Sequence, residues 1–142
     1  MVVSRVFWDT NLFVYLIEGT SDRAESVVAL RKRMIERGDE LLTSTLTLGE
    51  LLVKPVEMGD EELRDRYLQA IDAGVTVLPF DARAALQFAA IRGDRSIRAP
   101  DAIQLACAAA GGTDLFITND DRLSRKSVPG IAFIQSLQRT FL

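Results

Sequence analysis

The chain has 142 residues, 48% of them hydrophobic, and a formal net charge of −3. That length is the usual size of one domain and is enough to bury a core, so one α/β domain spanning 1–142 is expected. Histidine is absent and Cys107 is the single cysteine, which excludes Ser-His-Asp and Cys-His catalysis, an internal disulfide, and any zinc site built on histidines or several cysteines.

Residues 2–8 (VVSRVFW) are β-branched and aromatic, the composition of a buried strand. Arg5 is their one basic residue, and Asp9 and Asn11 break the apolar run, so the segment does not read as a secretory signal. Asp9-Thr10-Asn11 ends the strand. Residues 12–17 read as a short helix stopped near Gly19. Asp22 and Glu25 have capping-box spacing. They open a helix with Ala24, Val27, Val28, Met34 and Ile35 on one face and Gly38 at its left-handed end.

Residues 40–44 (ELLTS) read as a strand. Residues 46–53 form a helix that contains Glu50 and stops before Pro55. Asp60 caps the next helix, with Leu63, Tyr67, Ala70 and Ile71 on one face and Gly74 at its end. Residues 75–80 form a strand, and Asp81 caps a helix running to about Arg92.

Pro100 suits the first turn of a helix, with Asp101 behind it. Residues 102–110 are apolar nearly all round, so this helix is expected to be central. Cys107 lies inside it and is read as a buried, inert thiol, because a catalytic thiol needs an activating base. Gly111-Gly112 stops the helix. Residues 115–118 (LFIT) form a strand, Asn119-Asp120-Asp121 follow, and residues 131–134 form the last strand. The longest apolar stretch, 102–118, is broken by Gly111, Gly112 and Asp114. It falls short of the roughly 18–20 apolar residues of a membrane span, and a cytoplasmic protein without membrane contact is expected.

Strands alternating with helices argue for a parallel sheet covered by helices on both faces. Ligands of such sheets bind at the carboxyl ends of the strands. Asp9 directly follows the first strand, and Asp120 lies two residues beyond LFIT. Asp101 stands in the first turn of the central helix. Glu50 stands among Leu48, Leu51 and Leu52 and faces either solvent or a cleft.

Carboxylates gathered together repel one another, and Mg²⁺ or Mn²⁺, which prefer oxygen ligands, would remove that cost. Such an ion activates water and stabilises charge on a phosphate, with no histidine required. Setting aside the four acids turns the net charge of −3 into +1, so metal rather than a broad basic face would attract phosphate. Each acid alone also has a structural reading. Asp9 is a good N-cap, Asp101 favours a helix dipole, Asp120 suits the following turn, and Glu50 suits a solvated helix face.

Four segments carry a resemblance: FWDTNLFVYL at 7–16, TSTLTLGELL at 43–52, APDAIQLACAA at 99–109 and LFITNDDRL at 115–123. Together, in this order, they resemble the PIN-domain family, and within it the VapC-like toxins of bacterial toxin–antitoxin pairs. The resemblance implies a three-layer sandwich around a five-stranded parallel sheet of order 3-2-1-4-5, in which Asp9 and Asp120 meet at the switch point. It implies that Asp9, Glu50, Asp101 and Asp120 are the catalytic acids. Asp9, Asp101 and Asp120 would hold Mg²⁺, with Mn²⁺ as a substitute, and Glu50 would sit farthest from the ion. Thr10, Asn11, Thr118 and Asn119 would support the acids. Asp121 is either a supporting group or, preferentially, a turn residue.

The implied activity is endoribonucleolytic cleavage of RNA, leaving a 5′-phosphate and a 3′-hydroxyl. The implied partners are an antitoxin and a second copy in a homodimer. Arg92, Arg95 and Arg98 either touch RNA phosphates or belong to a solvated loop. The alternative is a catalytically inactive PIN-fold module that binds RNA or a partner. A phosphotransfer protein is disfavoured. An aspartyl phosphatase wants a second Asp where Asn11 stands, and a receiver wants a lysine at a strand end, whereas Lys32, Lys54 and Lys126 fall in helices and a turn.

Overall fold

Residues 3–140 and 142 are described by the structure, a computed structural model. In chain order the elements are β1 (Arg5–Trp8), α1 (Thr10–Glu18), α2 (Ala24–Arg37), β2 (Glu40–Ser44), α3 (Thr45–Met58), α4 (Glu61–Asp72), β3 (Val75–Leu78), α5 (Ala82–Ile91), α6 (Ala99–Gly111), β4 (Thr113–Thr118) and β5 (Ile131–Ser136). All pairings between strands are parallel, and the sheet order is β3-β2-β1-β4-β5. The chain thus reverses its direction of travel across the sheet between β1 and β4, the place where such folds open a crevice.

Successive strand residues point to opposite faces, and both faces are apolar here. Val6, Trp8, Leu41, Leu115 and Ile117 pack with Leu12, Phe13, Val27, Leu30, Met34, Leu51 and Tyr67 on one side. Phe7, Leu42 and Phe116 pack with Ala102, Leu105 and Ala106 of α6 on the other. Phe7 and Phe116 stack with ring centroids 4.8 Å apart. Helices on both faces explain why the strands read as unbroken apolar runs. Helix α6 is the central helix that its composition predicts, with Ala102 and residues 104–109 buried.

Several boundaries differ from the sequence reading. Val2 lies outside the described residues, and β1 begins at Arg5. Asp22 does not cap α2: the cap position is Arg23, without a side-chain hydrogen bond. Val28 and Ile35 are exposed, and Leu30 joins Val27 and Met34 on the inner face. The mixed pattern of this helix fits two stripes, and packing selected one. Helix α3 does not stop before Pro55 but runs through it to Met58. Proline removes a donor and crowds the preceding turn, but its fixed φ is one that a helix accepts. Pro55 is buried, and the N–H groups of Gly59 and Asp60 close the helix end on its carbonyl and that of Val56. Strand β3 ends at Leu78, short of residue 80, because Pro79 has no N–H for a ladder. Among the described residues no helix is long and apolar enough to cross a membrane.

Candidate acidic active site

The register of β1 against β4 pairs Trp8 with Ile117, and the Asp9 N–H donates to the Ile117 carbonyl at 3.1 Å. The ends of two neighbouring strands therefore deliver Asp9 and Thr118 side by side. Asp9 does cap α1, its Oδ1 accepting from the Thr10 N–H at 2.7 Å. Its other oxygen, Oδ2, accepts from the buried Thr118 hydroxyl at 2.9 Å. The same Thr118 oxygen accepts from the Asp120 N–H at 3.0 Å. One hydroxyl thus ties the two acids of the switch point together. Asp120 also holds the following turn, accepting from the N–H groups of Arg122 at 2.9 Å and Leu123 at 3.4 Å. The capping role and the placement in the site coexist in both acids.

Glu50 lines this crevice from α3 while remaining exposed to solvent, and its Oε1 accepts from the Thr10 hydroxyl at 2.6 Å. Behind Thr10 stands a residue that the sequence reading passed over. Gln104 is one turn after Asp101 on α6 and is 2% exposed. Its amide donates to the hydroxyls of Thr10 at 3.1 Å and Thr47 at 2.7 Å, and its carbonyl accepts from the Ser44 hydroxyl. This one side chain joins the start of α1, the start of α3 and the end of β2. The signal was available: it is the polar interruption of an otherwise apolar helix, three residues beyond Asp101.

All four acids line one cleft of about 640 Å³, together with Thr10, Asn11, Gln104, Asn119, Asp121 and two arginines. Burial pushes the Asp9 carboxyl above the ordinary aspartate value of 3.8, and the negative charges of Asp101 and Glu50 push the same way. The hydrogen bonds from Thr118 and Thr10 pull against them. Asp101 is likewise raised by burial and by Asp120 and Glu50, against the pull of Arg98. The closest cations are loose: Arg98 Nε is 3.8 Å from Asp101 and Arg122 Nε is 3.8 Å from Asp120, and both arginine side chains are mostly exposed.

The other sequence candidates fall into place around this geometry. Asn119 lines the cleft and donates to the Tyr15 hydroxyl at 2.8 Å, while its buried Oδ1 has no partner among the described residues. Asn11 and Asp121 are exposed at the cleft wall. The Asp121 carbonyl accepts from the Ser124 hydroxyl, as a turn residue would. Arg98 borders the cleft, but the Arg92 guanidinium braces its own loop through the Ile97 carbonyl at 2.6 Å. Arg95 is exposed and away from the cleft lining. Arg122, unremarked in the sequence, takes a place there. Burial pushes the Cys107 thiol up to about 11, so it stays protonated and inert near neutral pH.

The donor set fits a hard divalent cation in kind. It is all oxygen and carries several mutually repelling carboxylates. In the arrangement described, no three of the acids yet converge tightly enough to hold an ion.

No curated protein matches the sequence significantly. Solved structures do match in fold. A chain of VapBC2 from Rickettsia felis, bound to a fragment of promoter DNA, superposes with a TM-score of 0.72 at 18% identity, covering 92% of this chain and 97% of that one. A chain of DNA-bound VapBC from Salmonella typhimurium gives 0.67 at 21% identity, covering 95% and 99%. A chain of VapBC-5 from Mycobacterium tuberculosis, described as a member of the VapBC family of toxin–antitoxin systems, gives 0.61 at 22% identity, covering 93% and 98%. The family model for the PIN domain matches residues 6–129, which span every strand but β5 and all of the cleft acids, and the chain therefore belongs to the PIN domain family.

Proposed function

We propose that this chain is a ribonuclease of the VapC-like kind, acting as one domain that hydrolyses RNA phosphodiester bonds in the acidic cleft. The observation that carries this reading is that Asp9, Glu50, Asp101 and Asp120, from four separate segments, all line one cleft. The raised Asp9 and Asp101 carboxyls mark a site that lacks compensating positive charge. Asp9, Asp101 and Asp120 would hold Mg²⁺, or Mn²⁺ in its place. Bound there, the ion supplies activation of water and stabilisation of charge on the phosphate.

The chain's own residues do the rest. Thr118 and the Thr10 N–H hold Asp9 in one orientation. Gln104 holds Thr10, and Thr10 holds Glu50 at the cleft wall, where it can take up a proton. In-line attack would leave a 5′-phosphate and a 3′-hydroxyl. The likeness in fold to chains of toxin–antitoxin assemblies supports an antitoxin as the restraining partner, with a homodimer as the assembled form.

The test is cleavage of total RNA with Mg²⁺ or Mn²⁺, with EDTA, and with Asp101→Asn. Cleavage that survives EDTA or the substitution undiminished defeats the metal mechanism. A second reading, a binding module without catalysis, draws on the acids that stop short of converging. Calorimetry separates the two, because a module would take up no Mn²⁺.

A further inference from the structure

A second cavity, of about 240 Å³, opens directly off the acidic cleft. The two share Asp101, Asp120 and Arg122 as a common wall. Beyond that wall the charge changes sign, because the second cavity adds Arg125 and Lys126 to Arg122. Arg125 is exposed at the end of the 3₁₀ turn Leu123–Arg125, which Asp120 holds through the N–H groups of Arg122 and Leu123. Lys126 is set in place: its Nζ lies 3.0 Å from Asp94 Oδ2 and 2.7 Å from the Ser96 hydroxyl. The Ser96 hydroxyl and Lys126 hold Asp94 down to about 2, so it stays an anion and keeps orienting the lysine. An ammonium has three donors, and these contacts use two.

The track continues. A third cavity, of about 430 Å³, shares Ile97, Arg125 and Lys126 with the second and adds Asp94, the lysine's partner, and the apolar Ile91, Val128 and Pro129. The lining of the acidic cleft itself holds two cations, Arg98 beside Asp101 and Arg122 beside Asp120. Arg122 is the one that continues into the second cavity, where Arg125 and Lys126 join it. Proteins that grip single strands run a positive groove along the backbone beside surfaces on which bases rest. A strand with one phosphate at the acids must place the next one nearby, and the second cavity offers it positive charge from two exposed or half-exposed cations beyond Arg122.

We propose that the second cavity is the subsite for the phosphate adjoining the scissile one in single-stranded RNA. Arg125 and Lys126 are its cationic contacts and Arg122 stands at the junction. The assignment rests on the ribonuclease reading of the acidic cleft and adds to it a second point of grip on the strand.

The experiment uses the full chain and a short single-stranded RNA, cleaved with Mn²⁺ over a range of monovalent salt. Arg125→Ala and Lys126→Ala are each expected to raise KM about tenfold, far more than they lower kcat, and to flatten the log–log salt dependence by about 0.7. Arg125→Lys keeps the cation and should recover most of the loss. Arg95→Ala, exposed and outside all three cavities, should change neither quantity. Lys126→Ala also frees Asp94, so Arg125→Ala decides if the lysine variant folds poorly. A wild-type enzyme that cuts RNA, with KM and salt slope in Arg125→Ala matching those of Arg95→Ala, overturns the subsite and spares the ribonuclease. A wild-type chain that cuts no RNA with either metal overturns both.

Discussion

At the end of the sheet where the strands begin, Asp39, Glu40 and Asp114 meet Arg5 and Arg37. The Arg5 guanidinium lies 2.5 Å from Glu40, and the Arg5 N–H donates to Asp114 at 2.7 Å. The Arg37 Nε lies 2.8 Å from Asp39, whose other oxygen accepts from the Ser4 N–H at 2.9 Å. At the end where the strands finish, Asp9, Glu50, Asp101 and Asp120 meet hydroxyls and each other, and the two arginines stand off at 3.8 Å. Both ends gather acids around the same strands. At the first end each acid has its cation or donor and the cluster locks the sheet to its loops. At the second, burial and mutual repulsion raise Asp9 and Asp101 in spite of the hydrogen bonds to Asp9 and the looser pull of Arg98 on Asp101. A half-buried negative charge costs stability in proportion to how poorly it is paired, and the two ends of the sheet differ in that pairing.

Four substitutions break or sharpen that contrast. The largest effect should come from Asp9→Asn. It keeps the capping acceptor but removes the charge, and it should slow RNA cleavage on the order of 10²–10³-fold in a single-turnover assay. If cleavage stays within a few-fold of wild type, the second cluster is as structural as the first. Gln104→Leu comes next. It takes the amide partner away from the buried hydroxyls of Ser44 and Thr47 and from the half-buried Thr10. It should cost about 2–3 kcal/mol in urea unfolding, with Glu50 released from its fixed position.

Asp101→Asn should run the other way. Because its folded-state value is raised, ionised Asp101 costs the fold stability above that value, and the cost fades as pH falls through it toward 3.8. In chelator near neutral pH the Asn variant should therefore melt a few degrees above wild type. The gap should close on acidification, and added Mg²⁺ should raise the wild type more than the variant. A variant that melts lower than wild type at neutral pH would place Asp101 with the paired acids instead. The smallest effect is expected from Glu40→Gln at the other end. Its ion pair is more than a third exposed on both sides, and chemical denaturation should register no more than about 0.5 kcal/mol.

Features set by a residue and its chain neighbours were legible without the structure. The short β-branched, apolar strand runs and their alternation with helices announced a parallel sheet, and its order followed from the family resemblance. Asp9 and Asp120 could be placed at strand ends because a strand end is a local event. Gly38, Asp60 and Asp81 marked helix ends for the same reason.

Which face a helix turns inward was not local. Val28 and Ile35 belong to one possible stripe of α2 and Leu30 to another, and only contact with the sheet chose between them. Pro55 reads as a stop, yet burial carries α3 past it. The site divides along the same line. The residue types and the lack of histidine by themselves limited the chemistry to carboxylates and hard metals. That Glu50 faces the cleft, that Gln104 braces Thr10, and that Arg122 opens onto Arg125 and Lys126 depended on the packing of α3, α6 and the turn after β4 around one strand pair. Those contacts join residues up to 94 positions apart, and no local pattern specifies a meeting that only the folded sheet creates.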